Sequence, residues 1–372
     1  MQPTVYMDWN ATAPVLPAAR AAMLAALEDC GNPSSVHGFG RRARKRVEDA
    51  RSALAALVGA KVENVVFTAS GTEANALMLA NRGERRLIVS AIEHDSVLKP
   101  ALAAGAGTID VGRDGVADLD HLKSLLAADA RPALVSLMLA NNETGVIQPV
   151  AEAAGIAHAH GALLHVDAAQ AVGRVPVALD ALGADFVTVS GHKFGAPQGV
   201  GALIAAGAAP QIVPLLQGGG QERSRRAGTE NVPAIAGLGA AVAALEPMEA
   251  GEIGTLRDAL ERRLVASDPS ATVFGGSARR LPNTSCFAAG EKSAETLVMA
   301  LDLAGIAVSA GSACSSGKVK PSHVVSAMGF DRETASRAIR VSLGRGSTAE
   351  DIDAFFLAWQ RIQAPRQMTA AA

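Results

Sequence analysis

Short runs rich in Val, Leu, Ile and Phe alternate with longer Ala/Leu-rich amphipathic segments over most of the chain, and this alternation most constrains the fold. Val65–Phe67, Leu87–Val89, Leu134–Leu139, Leu163–Val166, Phe186–Val189 and Val200–Ile204 read as strands. Thr72–Ala80, Asp118–Ala127 and Ala151–Ala159 read as helices between them. Strands that recur across intervening helices make βαβ units, so the pattern predicts a parallel sheet covered by helices on both faces. Aromatics are only 3% of a chain that is 49% hydrophobic, so the core must come from Ala, Val, Leu, Ile and Gly. In open α/β sheets ligands bind at the carboxyl ends of the strands, so the polar residues just after each strand carry the functional argument.

At 372 residues the chain suggests about two to three domains. A polar, Gly-rich stretch, GGGQERSRRAGTEN, precedes a helix-like run at Pro233–Leu245, and from about Glu249 the pattern shifts to a long charged helix and scattered strands. We therefore expect an N-terminal segment 1–14 packed near the site, a large domain 15–248 and a smaller C-terminal domain 249–372. Lys+Arg 34 against Asp+Glu 36 leaves a net charge of −2, which gives no global electrostatic reason to bind nucleic acid or an anionic membrane. The apolar run Val232–Leu245 is too short to span a bilayer, and MQPTVYMDWN has no signal-peptide pattern. Cys30, Cys286 and Cys314 make neither a disulfide framework nor a zinc site, so a reducing cytoplasm is the expectation.

Lys193, in SGHKFGAPQGVG directly after FVTV, is the only charged residue in the 36 positions from Phe186 to Gln221. It reads either as a solvated turn lysine or as a partly buried amine suited to Schiff-base chemistry. Asp167, in HVDAAQ, is the only charge between Glu152 and Arg174. It either caps the following helix or needs a cationic partner at the strand tip, because burying it unpaired is costly. A Schiff-base lysine with an aspartate facing a pyridinium nitrogen is the protein-side signature of pyridoxal phosphate. TASGTEAN after Val65–Phe67 would set Gly71 and Thr72 at a helix N-terminus, where N–H groups favour an anion, and Ser190 and His192 could add donors.

Two patterns read as decoys. GSACSSGKV has five residues between its glycines where a nucleotide-binding loop has four, and Val319 stands at the magnesium-binding position. His158, His160, His165 and Asp167 face different ways on a helix end and a strand, so no structural metal site is expected. Cys314 lies in SAGSACSSGKVKP, a small, polar run unsuited to a core, with Lys318, Lys320 and His323 following. That context suits an exposed, activated thiol, where Cys30 and Cys286 read as ordinary packed or helix-end cysteines.

These residues fall within a series of segments that runs in order through nearly the whole chain: YMDWNATAP, GNPSSVHG, FTASGTEAN, EHDSV, NNETGVIQP, HVDAAQ, SGHKFGAPQGVG, GGGQERSRRAGTENV, LPNTS, SAGSACSSG and RVSLGR. The chain resembles the pyridoxal-phosphate cysteine desulfurases of the class V aminotransferase group. Trp9, Ala13 and Gln198 (where a lysine is usual) depart from the pattern. The resemblance implies the type I pyridoxal-phosphate transferase fold, an α/β large domain with a mainly parallel seven-stranded sheet plus a smaller α+β C-terminal domain. By the same resemblance Lys193 holds the cofactor, Asp167 pairs with its ring nitrogen, Gln170 reaches its ring hydroxyl, and His94 stacks on the ring and moves protons. Gly71, Thr72, Ser190, Gly191 and His192 would hold the phosphate, with Thr229 supplied by the second subunit of a homodimer. Asn142 would touch cofactor or substrate, and Arg340 would clamp the substrate carboxylate.

L-cysteine would yield L-alanine, with its sulfur captured as a persulfide on Cys314 and passed to an iron–sulfur scaffold or other acceptor, Cys314 at most ligating a cluster transiently. Arg340 stands 26 positions after Cys314, and the SAGSACSSG context resembles the long-loop, nitrogen-fixation-like branch. Selenocysteine lyase or another class V activity is the nearest alternative. A scaffold-binding relay component is the non-enzymatic one, and retention of Lys193, Asp167 and Cys314 together argues against it.

Overall fold

The computed structural model describes residues 5–207, 212–246, 250–311 and 320–363. Its strands are β1 (Val5–Tyr6), β2 (Val65–Thr68), β3 (Arg86–Ser90), β4 (Gly107–Ile109), β5 (Ala133–Ser136), β6 (Leu163–Asp167), β7 (Phe186–Ser190), β8 (Gly201–Ala205), β9 (Thr272–Val273), β10 (Thr284–Ala288), β11 (Ile306–Ala307), β12 (Ser309–Ala310) and β13 (Ile339–Ser342). Seven of them form one sheet in the order β2-β8-β7-β6-β5-β3-β4. Every neighbouring pair is parallel except the two that involve β8, which runs against both β2 and β7. The ends of β2, β3, β5, β6 and β7 therefore open onto one edge of the sheet.

Register fixes what meets at that edge. Asp167 pairs with Thr188, and Gly201 faces Ser190 on one side and Thr68 on the other. A Cβ on Gly201 would come within 2.6 Å of the Ser70 carbonyl carbon, so only glycine lets the turn after β2 fold over β8. The expected strand Leu134–Leu139 stops as a ladder at Ser136. Leu137 and Leu139 still donate to His165 and Asp167 carbonyls, but beyond Asp167 strand β6 turns away and leaves nothing to pair with.

Helices cover both faces. Helix Gly38–Val58 buries Ala43, Val47, Ala50, Arg51, Leu54 and Val58 on one stripe. Helix Val232–Ala243, capped by Asn231 on the Ala234 N–H, packs closely against it, since a Cβ on Gly239 would stand 2.7 Å from Ala50. Beyond residue 250 a four-stranded antiparallel sheet, β12-β13-β10-β9, packs with helices Ala250–Ser267, Ala294–Leu303 and Ala349–Gln363 around a separate apolar cluster. The scarce aromatics concentrate there: Phe355 and Trp359 stack at 5.8 Å, with Phe287 edge-on to both.

Residues 5–14 tie the two regions together. β1 pairs in parallel with β11 and Asp8 bridges to Ser342, after which Ala13 N–H donates to the His192 carbonyl at 2.8 Å. No helix among the described residues is long and apolar enough to cross a membrane.

Candidate active site

Lys193 sits in the single 3-10 turn that follows β7, and its Nζ donates to the carbonyls of Asn10 at 2.6 Å and Ala11 at 3.0 Å. Asp167, at the tip of the neighbouring β6, is buried. Its Oδ2 accepts from Asn75 Nδ2 at 2.8 Å and its Oδ1 from the Ala169 N–H at 2.9 Å. The second bond is the helix-cap type of contact weighed for this residue, and the first ties the other oxygen to the helix after β2. Gln170 donates through Nε2 to the Asn10 carbonyl at 3.0 Å and accepts a short bond from Arg174 Nη1.

Beyond β3, His94 caps helix Asp95–Ala103: its Nδ1 accepts from the Ser96 N–H at 3.1 Å and lies 2.8 Å from Ser96 Oγ. Burial holds the His94 imidazole below its ordinary pKa, against the pull of Asp167 in the other direction. Ahead of Lys193, His192 Nδ1 lies 3.2 Å from Thr12 Oγ1, and burial followed by the Lys193 charge pushes its pKa down to about 4. His192 is therefore a neutral hydrogen-bonding group at ordinary pH.

Gly71 opens helix Gly71–Ala80 against Ser190, where a Cβ would stand 3.0 Å from the serine Cβ. The first N–H groups of a helix have no partner inside it, so those of Gly71 and exposed Thr72, close to Ser190, are of the kind that favours an anion.

Arg340, on β13, is buried. Its Nη2 pairs with Asp8 Oδ1 at 2.7 Å, and its Nη1 donates to the Asn142 carbonyl at 3.0 Å. Asn142 Oδ1 and Arg340 Nε are buried without a hydrogen-bond partner among the described residues, an arrangement that a bound polar group would relieve. An amine, a carboxylate, an anion-binding helix start and orphaned polar atoms at one sheet edge fit pyridoxal phosphate. Thr229 lies elsewhere on this chain, exposed in a surface hollow with Leu27, Asp29, Gly31 and Pro33, which none of the residues above lines. Cys314 and the GSACSSGKV run fall outside the described residues except for Gly311.

Sequence reasoning missed the residues that organise this edge. Asn10, fully buried, accepts from Lys193 and Gln170 and donates through Nδ2 to the Asn142 carbonyl and Thr284 Oγ1. Arg174, a buried cation brought down to about 9 by burial and then by the Arg340 charge, holds the Gln170 and Lys193 carbonyls. Glu93 and Glu143 are buried carboxyls raised by burial to about 8 and about 7. His158, expected as a decoy, pairs instead with Asp185, and His165 is enclosed by Ser136 and Thr188. Among the described residues no group of three or more His, Cys, Asp or Glu could hold a metal.

This sheet, with a lysine and an aspartate on adjacent strand ends, defines a pyridoxal-phosphate-dependent enzyme of fold type I, and residues 5–355 match the family model for class V aminotransferases. A cysteine desulfurase of Cereibacter sphaeroides is 44% identical over 94% of this chain and 93% of its own. Another from Dictyoglomus turgidum, named cysteine desulfurase IscS, is 41% identical over 95% and 93%. The solved structure of a NifS-like protein from Rickettsia africae superposes with a TM-score of 0.90 at 37% identity, covering 96% of this chain and 99% of that one. The chain belongs to the class V aminotransferase family and, within it, to the cysteine desulfurases.

Proposed function

We propose that this enzyme removes sulfur from L-cysteine as a cytoplasmic homodimer, releases L-alanine, and carries the sulfur as a persulfide on Cys314 to an acceptor protein of iron–sulfur cluster assembly. What supports this reading is the convergence on Asn10, which gathers Lys193, Gln170 and, through the Asn142 carbonyl, Arg340 at one edge of the sheet. In this assignment residues 15–248 form the cofactor domain, 249–372 the smaller domain carrying Cys314, and 1–14 the segment that closes the site.

Lys193 would hold the cofactor covalently, with Asp167 for its ring nitrogen, Gln170 for its ring hydroxyl and His94 for its ring face. Gly71, Thr72, Ser190, Gly191 and His192 take the phosphate, joined by Thr229 from the second subunit. Pyridoxal phosphate, when bound, supplies the electron sink that makes the Cα–H and Cβ–S bonds of the substrate breakable. Arg340 orients the substrate by pairing with its carboxylate, with Asn142 beside it. Lys193 Nζ, at the same edge, would be the group that takes the substrate Cα proton. The Cys314 thiolate attacks the substrate sulfur: an S–S bond forms, the Cβ–S bond breaks, and its electron pair stays with the carbon fragment, which takes up protons and leaves as L-alanine. One sulfur must be collected beside the cofactor and delivered at the surface, which is what the long separation of Cys314 from Arg340 permits.

Cys314→Ser tests the assignment, because a serine hydroxyl is not ionised at neutral pH and is a poor nucleophile toward sulfur. The variant should load cofactor and change its visible spectrum on adding cysteine, yet lose nearly all alanine and persulfide production. Mass spectrometry of the wild type after brief exposure to cysteine should place one extra sulfur on the Cys314 peptide. Sulfur found only on Cys30 or Cys286, with Cys314→Ser fully active, would overturn the proposal. A keto acid in place of alanine would make the enzyme a transaminase.

A further inference from the structure

Asn75 stands in the first turns of helix Gly71–Ala80, almost fully buried, and its Nδ2 donates both to Asp167 Oδ2 at 2.8 Å and to Ser96 Oγ at 2.9 Å. Facing a carboxylate, the amide must turn its NH2 and not its oxygen toward Asp167. Ser96 Oγ accepts from Asn75 and keeps its own proton to donate to His94 Nδ1, 2.8 Å away. The Ser96 backbone N–H, which can only donate, reaches the same nitrogen at 3.1 Å. Two donors on Nδ1 leave one neutral form of the ring, with its proton on Nε2.

We propose that Asn75 and Ser96 are positioning residues that fix His94 in its Nε2–H form and tie its ring orientation to Asp167. The relay spans three strand ends: Asp167 from β6, Asn75 from the helix after β2, and Ser96 and His94 from the helix after β3. It gives the carboxylate at the cofactor nitrogen and the imidazole at its face a single mechanical reference. Protonating Nδ1 would turn an acceptor with two donors into a third donor, so the relay resists protonation. Among the described residues, the charged groups that bear on His94 electrostatically include Asp167, Lys193, Asp95 and His323, and burial acts in the same sense as the relay. The inference deepens the reading that His94 lies over the cofactor ring, and it rests on that reading only for its catalytic consequence.

The test uses nitrogen-15 NMR of the His94 ring in the full-length apoprotein, together with pH profiles of the loaded enzyme. In wild type Nδ1 should resonate as an unprotonated acceptor and Nε2 as N–H. Ser96→Ala removes one donor, so the His94 titration midpoint should move up and the ring should show a mixture of forms, while Ser96→Thr keeps the hydroxyl and restores both. Asn75→Ala should leave Nδ1 bonded to Ser96 but broaden the ring signals as orientation is lost. In the loaded enzyme Ser96→Ala should lower kcat roughly 5-fold with KM little changed, the scale of one hydrogen bond.

A protonated Nδ1 in wild type, or a midpoint and spectrum untouched by Ser96→Ala, overturns the relay whatever happens to activity. A shifted spectrum with an unmoved pH profile leaves the relay standing and removes His94 from the chemistry.

Discussion

A buried carboxyl with no cation beside it keeps its proton, and among the described residues Glu93 has none. Its Oε1 accepts the Met138 N–H at 2.6 Å, its Oε2 is buried without a partner among the described residues, and burial followed by the Asp167 charge raises it from 4.5 to about 8. Because the folded value lies above the unfolded one, the stabilisation is fully present below about pH 4.5 and is lost as pH rises through about 8. Glu93→Gln keeps the acceptor for Met138 and removes the titration. Urea unfolding of the apoprotein should show stability falling less steeply toward high pH in the variant, which should be the more stable of the two above pH 8. Equal slopes would mean that Glu93 is ionised in the fold. Lys193 and Asp167 could be read from sequence because each is a lone charge in a long uncharged stretch. Glu93 and Asn75 could not, since polar residues after strands are common and their partners Met138 and Asp167 lie 45 and 92 positions away.

Among the elements, the turn Gln221–Ser224 carries the most backbone strain. Glu222, Arg223 and Ser224 are consecutive non-glycine residues with φ of 48°, 57° and 64°, a left-handed run that costs about 1–2 kcal/mol per residue. What holds it is Glu222, whose carboxylate accepts from Arg51 Nη1 and Nη2, each at 2.7 Å, and from the Phe67 N–H at 2.9 Å. Removing one partner of so buried a pair strands the other charge. Glu222→Leu should therefore cost about 3–5 kcal/mol in chemical denaturation, while the double change Arg51→Met with Glu222→Leu should cost clearly less. Additive costs would show that the pair is not coupled.

An arginine on the stripe Val47, Leu54 and Val58 announces in the sequence that it needs a buried anion, but the pattern does not say that the anion lies 171 residues on. The reversal of β8 was legible in a different way. Only ten residues, Gly191 to Val200, join β7 to β8, and a parallel crossover needs about a dozen or more. Hydrophobic runs buried on both faces look alike in either direction, so the runs alone suggested one more parallel strand.

For the whole molecule, the exposed position of Thr229 bears on assembly. It shares its hollow with Leu27, and helices Pro17–Glu28 and Gly38–Val58 with the turn between them expose Leu24, Leu27, Val36 and Phe39 at 55%, 60%, 85% and 54%. Apolar exposure on that scale suits an interface between subunits. If Thr229 serves the partner's site, mixing inactive Lys193→Ala and Thr229→Glu chains should recover roughly a quarter of wild-type turnover, since half of randomly exchanged dimers are mixed and each regains one site. No recovery under verified subunit exchange would assign Thr229 to its own chain.

Residues 5–14 have a consequence for when the enzyme becomes competent. Asn10 is held by Asn283, Thr284 and Ser342, partners as many as 332 residues away along the chain. During synthesis the large sheet can form as soon as its strands emerge, but the seat for the Lys193 amine stays unfinished until the C-terminal strands have left the ribosome. Maturation is thus deferred to the completed polypeptide, and a truncated translation product would hold the lysine and the aspartate without the frame that makes them an active site.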